Sequence, residues 1–392
     1  MRQTRFRTPT PHDPRAAPAR LPRNPAKGDT DVSPFLDLPP LSAAEFAAIE
    51  DQVAALLHTG ADVIVTQGEA LLPLEAAIRG AAHPGSTALN VVTGPYGQTF
   101  GNWLRSCGAK VVDLAVPFDS AVSAEQVAAA LEANPEIDFV SLVHAEAATG
   151  NTNPVAEIGA VVREHGALLM LDAVASVAAE PVLTDEWGVD LCVIGGQKAM
   201  GGPAGVSAVS VSERAWARIA ANPAAPRRSY LSLLDWKERW TDAGRAVLPH
   251  APAQLEMLAL GACLDRIAAD GLPAVIARHR AASAATRAGV RALGTLAPYV
   301  VEDAHAAPVA TTLRTPDGVD ATALAARLDP ALPVQSGGGA LAGSMLRVNH
   351  YGRAASLDTV RACLTGLAAA TSADPAPALA AAEAAWNATV AA

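Results

Sequence analysis

The stretch Ala167 to Gly205, ALLMLDAVASVAAEPVLTDEWGVDLCVIGGQKAMGGPAG, contains two short apolar segments, each followed by a reactive side chain. Ala167 to Leu171 predicts a strand that ends before Asp172, and Leu191 to Ile194 predicts a second strand that is followed by Lys198. In open parallel sheets, ligands bind at the carboxyl ends of the strands. We therefore expect Asp172 and Lys198 to face one pocket.

An acid and a lysine in one pocket suit the chemistry of pyridoxal. Lys198 lies in a partly apolar turn lined by glycines, where it can lose its proton and form a Schiff base with an aldehyde. Asp172 can keep a pyridine nitrogen protonated, so that the ring withdraws electrons. Taken singly, each residue has an ordinary structural explanation: Asp172 as a helix N-cap, Lys198 as a solvated loop residue. The chemical reading depends on the two together.

Four motifs resemble those of the class V aminotransferases, the alanine–glyoxylate and serine–glyoxylate type. LDAVAS and GGQKAMGGPAGVS resemble DAVSS and GSQKAL-PPG, HAEAATG from His144 resembles H-x-E-[ST]-S-T-G, and MLRVNHYG from Met345 resembles L-R-I-G-x-x-G. The resemblance covers about Leu41 to Ala370. It implies fold type I of the pyridoxal-phosphate-dependent transferases, an α/β fold. That fold has a large domain with a mostly parallel sheet of the seven-stranded type and a smaller C-terminal α+β domain. The resemblance also implies a homodimer or a dimer of dimers.

The resemblance implies a role for five residues around the ring. Lys198 would hold the aldehyde and later move the proton between the amino acid and the ring-bearing carbon, and Asp172 would pair with the ring nitrogen. Tyr96 would stack on one face of the ring and Val174 would pack on the other. Gln197 matches the residue that precedes the family's lysine. Without the resemblance, a surface tyrosine would explain Tyr96 equally well.

The departures from the family pattern are concentrated where the phosphate would bind. The family cradle of Ser or Thr, Gly, and His or Thr reads Glu69, Ala70 and Leu71 here, and the Ser or Thr of the H-x-E turn is Ala147. The segment that the partner subunit offers to the phosphate keeps only His250. Two unit charges about 4 Å apart repel by about 4 kcal/mol at an effective dielectric constant near 20. An ionised Glu69 would therefore oppose a phosphate, whereas a neutral hydroxymethyl group could donate a hydrogen bond to it.

This pattern favours the unphosphorylated vitamin. Within the family it resembles transaminases that convert pyridoxamine and pyruvate to pyridoxal and L-alanine, and this resemblance implies a step of vitamin B6 degradation. Arg347 would hold the α-carboxylate of the oxo acid, because a guanidinium matches a carboxylate with two parallel hydrogen bonds. The loop from Gln335 to Ala340 offers no second arginine, so glyoxylate would fit as well as pyruvate. Two alternatives remain: an aminotransferase of the alanine– or serine–glyoxylate type with bound pyridoxal 5'-phosphate, and a non-catalytic protein that binds vitamin B6.

The order of the predicted elements suggests how the 392 residues divide. Strands alternate with helices up to about residue 252, which indicates βαβ units, and long Ala-rich helices follow. We predict a disordered tail at residues 1–37, the large cofactor- and substrate-binding domain at 38–252, and the small domain at 253–370. Residues 371–392 are mostly Ala and Pro and are predicted to fray as a tail.

Charge and composition exclude several classes of partner. The net charge of −10 argues against nucleic acid, which needs a concentrated basic face, and no apolar run is long enough to cross a membrane. The four cysteines are far apart and form no C-x-x-C pair, so they predict neither a metal site nor a redox site. Free thiols and the absence of a secretory signal predict a cytoplasmic protein.

Overall fold

The computed structural model describes residues 38–391, so the predicted tail at 1–37 lies outside the described residues. The large sheet is built from strands whose side chains are mostly buried, as expected of strands that are covered on both faces. They are β1 Asp62–Gln67, β2 Thr87–Val92, β3 Lys110–Ala115, β4 Phe139–Val143, β7 Leu168–Asp172, β8 Leu191–Gly195 and β9 Val206–Val211. A two-stranded ribbon, β5 Ala145–Glu146 and β6 Asn151–Thr152, follows β4.

The large sheet has seven strands in the order β1-β9-β8-β7-β4-β2-β3. Strand β9 is antiparallel to both of its neighbours, and the pairs from β8 to β3 are parallel. The mostly parallel seven-stranded sheet predicted from the sequence is therefore confirmed. Because β7 and β8 are adjacent and parallel, their carboxyl ends open on the same edge of the sheet, which is where ligands bind in such folds.

Helices connect and cover these strands. They are α1 Ala43–Leu56, α2 Leu71–Ala81, α3 Pro95–Ser106, α4 Ala124–Ala133, α5 Val155–His165, α6 Thr184–Trp187, α7 Glu213–Ala221 and α8 Leu233–Trp236, the last continued by a π-helical turn, Lys237–Thr241. Two of these helices begin with a capping box, in which Ser42 accepts from the Glu45 amide and Ser123 accepts from the Gln126 amide. Each box satisfies two backbone donors at a helix start, which fixes where α1 and α4 begin.

The C-terminal part contains a second, antiparallel sheet. Helices α9 Gln254–Asp270 and α10 Leu272–Leu293 lead to strands β10 Ala297–Pro298, β11 Ala310–Arg314, β12 Val334–Ser336 and β13 Met345–Asn349, with helices α11 Ala321–Ala325, α12 Leu357–Ala370 and α13 Ala376–Val390. The strand order is β10-β11-β13-β12. Buried side chains of α9 join the core of the large sheet, whereas most buried apolar side chains from Ala282 onward form a separate core around the small sheet. The domain boundary near residue 252 stays a prediction.

The expectation that residues 371–392 form a frayed tail is wrong for most of that segment. Residues Ala376–Val390 form helix α13, which buries Ala378 and Ala382 against α10 and α12. Alanine is the best helix former, and its small side chain allows close packing of helices. Glu383 also forms an ion pair of 2.5 Å with Arg361 on α12. A composition rich in Ala and Pro is typical of a disordered tail, but here proline lies at the start of a helix.

Candidate active site

Asp172 ends strand β7 at the edge of the sheet predicted to bind ligands. Its carboxylate accepts a 2.9 Å hydrogen bond from the amide of Val174, and the side chain is 5% exposed. Burial raises the pKa of Asp172 to about 6, while the nearby charge of Lys198 and the Val174 hydrogen bond act in the opposite direction. The acid is therefore ionised at neutral pH, in a setting where a cation can compensate its charge.

Lys198 lies in a tight turn after strand β8, as the sequence predicts. The amide of Gly201 donates to the Lys198 carbonyl at 2.9 Å, and Gly201 has a φ of +67°. A Cβ at Gly201 would lie 2.8 Å from the Cα of Gly352, so only glycine allows this turn to approach the segment after β13. Burial lowers the pKa of Lys198, opposed chiefly by the charge of Asp172. A lowered pKa favours the neutral amine that attacks carbonyl groups.

Tyr96 and Val174 lie beside these two residues. Tyr96 is the second residue of α3, and Nζ of Lys198 lies 5.2 Å from the centre of its ring. Burial raises the pKa of Tyr96, with a further contribution from the charge of Asp172. Val174 is buried and follows Asp172 by two residues. The structure thus brings together the acid, the lysine and the aromatic ring that the sequence assigns to one site.

Glu69 makes two hydrogen bonds next to the lysine turn. Its Oε1 accepts from the side-chain amide of Gln197 at 2.6 Å, and its Oε2 accepts from the backbone amide of Leu71, the first residue of α2, at 2.9 Å. The side chain is exposed, and its charge raises the pKa of Asp172 and of Lys198. A carboxylate therefore occupies the amino end of α2, a position that favours anions in general.

Arg347 reaches the site from the small sheet. It is the central residue of β13 and is paired with Gln335 on β12 and Thr312 on β11. Its Nη1 donates to the backbone carbonyl of Ala147 at 3.2 Å, and the Gln335 side-chain oxygen, turned towards the guanidinium, accepts from Nε at 3.2 Å and from Nη2. Arg347 also lowers the pKa of Lys198. Ala147 contributes a backbone oxygen to this arrangement, in contrast with the hydroxyl that the family motif has there.

Glu146 is a site residue that the sequence reading did not single out. Its side chain is fully buried, it accepts a 3.4 Å hydrogen bond from the amide of Gly97, and its Oε2 has no hydrogen-bond partner. Burial, reinforced by the charge of Asp172, raises the pKa of Glu146 to about 8, and its charge affects Lys198. The signal for it in the sequence is the glutamate of the H-x-E turn motif itself.

Within residues 38–391, no hydrogen bond or ring contact joins His250 to Asp172, Lys198 or Tyr96. Its Nδ1 is 3.0 Å from the side-chain nitrogen of Gln67, and its ring packs against Trp236 and Tyr230 at centroid distances of 5.1 and 5.5 Å. The three ring side chains line a surface cavity of about 380 Å³. The cofactor-binding role expected of His250 therefore stays a prediction.

The described part of the chain contains neither a cluster of metal-binding side chains nor a helix that could span a membrane. No group of three or more His, Cys, Asp or Glu side chains within residues 38–391 could hold a metal ion. Among the helices described, none is long and apolar enough to cross a membrane.

Comparison with known proteins identifies relatives along most of the chain. The model of the family described as aminotransferase class V matches residues 38–372. The pyridoxamine–pyruvate transaminase of Mesorhizobium japonicum is 36% identical over 336 residues, which cover 85% of each chain.

Solved structures give the same picture. The crystal structure of pyridoxamine–pyruvate aminotransferase from Mesorhizobium loti superimposes with a TM-score of 0.84 at 35% identity, covering 88% of this chain and 89% of that one. Alanine–glyoxylate aminotransferase from Nostoc gives a TM-score of 0.78 at 29% identity, covering 85% and 89%. The similarity therefore extends over both sheets and over the residues of the candidate active site.

Proposed function

This chain belongs to the class V aminotransferases, and from that membership we propose that it transfers the amino group of pyridoxamine to pyruvate, giving pyridoxal and L-alanine. Family membership establishes an aminotransferase that works with vitamin B6. The finer assignment is that the unphosphorylated vitamin is a substrate and not a resident coenzyme. The relative named as a pyridoxamine–pyruvate transaminase supports this assignment.

The observation that carries the proposal is the placement of Glu69. Its carboxylate accepts the Leu71 amide at the start of α2 and the Gln197 side chain, so donors that could hold a phosphate are already engaged by an acid. A phosphate would meet a like charge there and find fewer free donors. The hydroxymethyl group of pyridoxamine or pyridoxal carries no charge and can donate to a carboxylate.

The residues around Lys198 fit the ring and aldehyde end of the vitamin. When bound, the pyridine ring supplies an electron sink for the bond changes at the amino carbon. Asp172, ionised at neutral pH, would keep the ring nitrogen protonated. Lys198 would bind the aldehyde and hold or deliver a proton at Nζ, because its pKa is lowered by burial. Tyr96 and Val174 would orient the ring between their side chains.

Arg347 is proposed to bind the carboxylate of the oxo acid. Two of its contacts, to the Ala147 carbonyl and the Gln335 side chain, fix the plane of the guanidinium. The segment from Gln335 to Ala340 carries no second arginine that could hold another carboxylate. A small monocarboxylic oxo acid such as pyruvate suits a single arginine, and glyoxylate has the same group.

We further propose that the protein forms a homodimer or a dimer of dimers, and that it works in the cytoplasm in vitamin B6 degradation. Exposed apolar side chains at Tyr230, Val247, Leu255 and Leu258 support an interface between two copies. His250 lies in the same segment, and its proposed role is at the partner's site. The four free cysteines support a reducing compartment. Light scattering of the purified protein tests the dimer, and a monomeric mass would overturn it.

The deciding experiment uses protein purified without added cofactor. It is incubated with pyridoxamine and pyruvate, and pyridoxal and alanine are measured. Formation of both products over many turnovers, with no pyridoxal phosphate added, is expected. A protein that is purified with bound pyridoxal 5'-phosphate and makes alanine only from an amino acid donor would instead be an aminotransferase of the alanine– or serine–glyoxylate type. Binding of pyridoxamine without turnover of any oxo acid would indicate a vitamin-binding protein.

A further inference from the structure

Helix α3 begins without the usual side-chain cap. Its N-cap residue is Gly94, which has no side chain, and Pro95 follows with no N–H group. The backbone amides of Tyr96 and Gly97 are therefore the first donors of the helix, and unsatisfied donors at a buried helix start are costly. A Ser, Thr, Asp or Asn at the N-cap normally accepts from such donors.

Glu146 supplies the missing acceptor from a different element. It is the last residue of β5, and its carboxyl group accepts from the Gly97 amide at 3.4 Å and lies close to the Tyr96 amide. A Cβ at Gly94 would lie 2.3 Å from the carboxyl carbon of Glu146 and 2.6 Å from each of its oxygens. A side chain at position 94 would therefore displace the Glu146 carboxyl group.

The turn that follows Glu146 is itself fixed to the rest of the site. The backbone oxygen of Glu146 accepts from the Gly150 amide at 2.7 Å. Thr312 on the small sheet donates to the Thr149 carbonyl at 2.6 Å. The next carbonyl, that of Ala147, accepts from Arg347. One short turn therefore contacts the start of the helix that carries Tyr96 and also the arginine of the small sheet.

We propose that Glu146 is a positioning residue that fixes the ring of Tyr96 beside Lys198 by capping helix α3. The inference rests on the proposed function, because Tyr96 is taken to contact the pyridine ring. The charged groups that influence the Glu146 carboxyl are Asp172 and Lys198, and both lie in the same site. A protonated carboxyl group still accepts through its carbonyl oxygen, so capping needs an acceptor and not a full negative charge.

A double-mutant cycle tests the proposal by calorimetric binding of pyridoxamine, in the absence of any oxo acid. Glu146→Ala is expected to weaken binding about tenfold, and Tyr96→Ala is expected to weaken it by at least as much. In the Tyr96→Ala background, Glu146→Ala is expected to change the dissociation constant less than about twofold, since residues that act through one another are not additive. An equal loss in both backgrounds would overturn the proposal.

Two further variants keep the test independent of folding. Glu146→Gln retains an acceptor oxygen and is expected to bind pyridoxamine within about threefold of the wild type. Gly94→Ala leaves both Glu146 and Tyr96 in place but is expected to displace the carboxyl group and reproduce the loss of binding. Wild-type binding by Gly94→Ala would contradict the proposal. Glu50→Gln, which changes a buried carboxyl group bonded to Trp240 in the core, is the control.

The choice of ligand separates this inference from the proposed function. If the wild type binds pyridoxamine 5'-phosphate and not pyridoxamine, the proposed function fails. The same cycle measured with the phosphorylated ligand still decides whether Glu146 acts through Tyr96, because both ligands contain the same ring.

Discussion

The side-chain amide of Gln197 donates a 2.6 Å hydrogen bond to Glu69, which connects the residue before Lys198 to the amino end of helix α2. The other carboxylate oxygen of Glu69 accepts from the Leu71 amide. The acid that distinguishes this chain from the family's phosphate cradle is therefore held in place, and it lies close enough to affect the pKa of Lys198. In the proposed function, this contact connects the residue that selects the form of the vitamin to the turn that carries the reacting lysine.

Replacing Glu69 should change which form of the vitamin is bound. Glu69→Ser removes the charge and supplies a hydroxyl group, so it should weaken binding of pyridoxamine and strengthen binding of pyridoxamine 5'-phosphate. We expect the ratio of the two dissociation constants to shift by at least about tenfold, since a like charge near 4 Å costs several kcal/mol. Glu75→Ser, on helix α2 but paired with Arg79, is the control. An unchanged ratio would remove the main support for the unphosphorylated substrate.

Lys198 should be indispensable. Lys198→Ala removes the amine that binds the aldehyde and moves the proton, so turnover of pyridoxamine with pyruvate should fall by at least ~10³-fold. The absorbance change of pyridoxal on binding should disappear as well. Lys110→Ala, which removes an exposed lysine paired with Glu136, should leave both unchanged. Activity close to that of the wild type in Lys198→Ala would show that another residue carries the reaction.

Arg347 should govern the oxo acid and not the vitamin. Arg347→Lys keeps the charge but loses the planar fork that matches a carboxylate, so KM for pyruvate should rise by about tenfold or more. The dissociation constant of pyridoxamine, measured without an oxo acid, should stay within about threefold. Arg314→Lys, on the neighbouring strand and paired with Asp119, is the matched control. A larger effect on the binding of pyridoxamine than on KM for pyruvate would show that Arg347 binds the vitamin and not the oxo acid.

Stability at acidic pH should depend on His279. Burial lowers the pKa of this fully buried histidine to about 4, and its Nδ1 donates to the Val275 carbonyl at 2.8 Å. The unfolded chain takes up a proton below a pH of about 6.5 that the folded chain does not, so the stability due to neutral His279 is present above that pH and lost below it. Between pH 7 and pH 5 the wild type should lose about 2 kcal/mol relative to His279→Gln.

Urea denaturation at the two pH values measures this difference. The free energy of unfolding is determined for the wild type and for His279→Gln at each pH, and the change between variants is compared. His58→Asn, at an exposed position with a φ of 49°, should show no such pH dependence relative to the wild type. Equal differences at pH 7 and pH 5 would show that His279 is not the group responsible.

The sequence predicted strands β7 and β8 to within one residue at each end, because their patterns are local. Strand β7 was expected from 167 to 171 and spans Leu168–Asp172, and the capping boxes at Ser42 and Ser123 mark the starts of α1 and α4. The last helix was missed, since a run of Ala and Pro becomes ordered only by packing against α10 and α12. Composition alone does not report such packing.

In the site, the sequence indicated the lysine, the acid and the arginine, but not the residues that hold them. Gln335 is paired with Arg347 through the register of β12 and β13, a relation that spans two strands. Glu146 caps a helix about fifty residues earlier in the chain. Neither contact follows from local spacing, because each one depends on where two distant segments meet.

The sequence by itself determined which reactive residues are available: a lysine and an acid that each follow a predicted strand, with an acid where the family carries phosphate donors. Those features depend on residue type and short spacing, which the chain order preserves. Only the tertiary structure decided that Glu69 engages the start of α2, that Arg347 reaches the site from a second sheet, and that Glu146 completes helix α3. The physical reason is that buried donors must find acceptors, and the acceptors nearest in space lie far away in sequence.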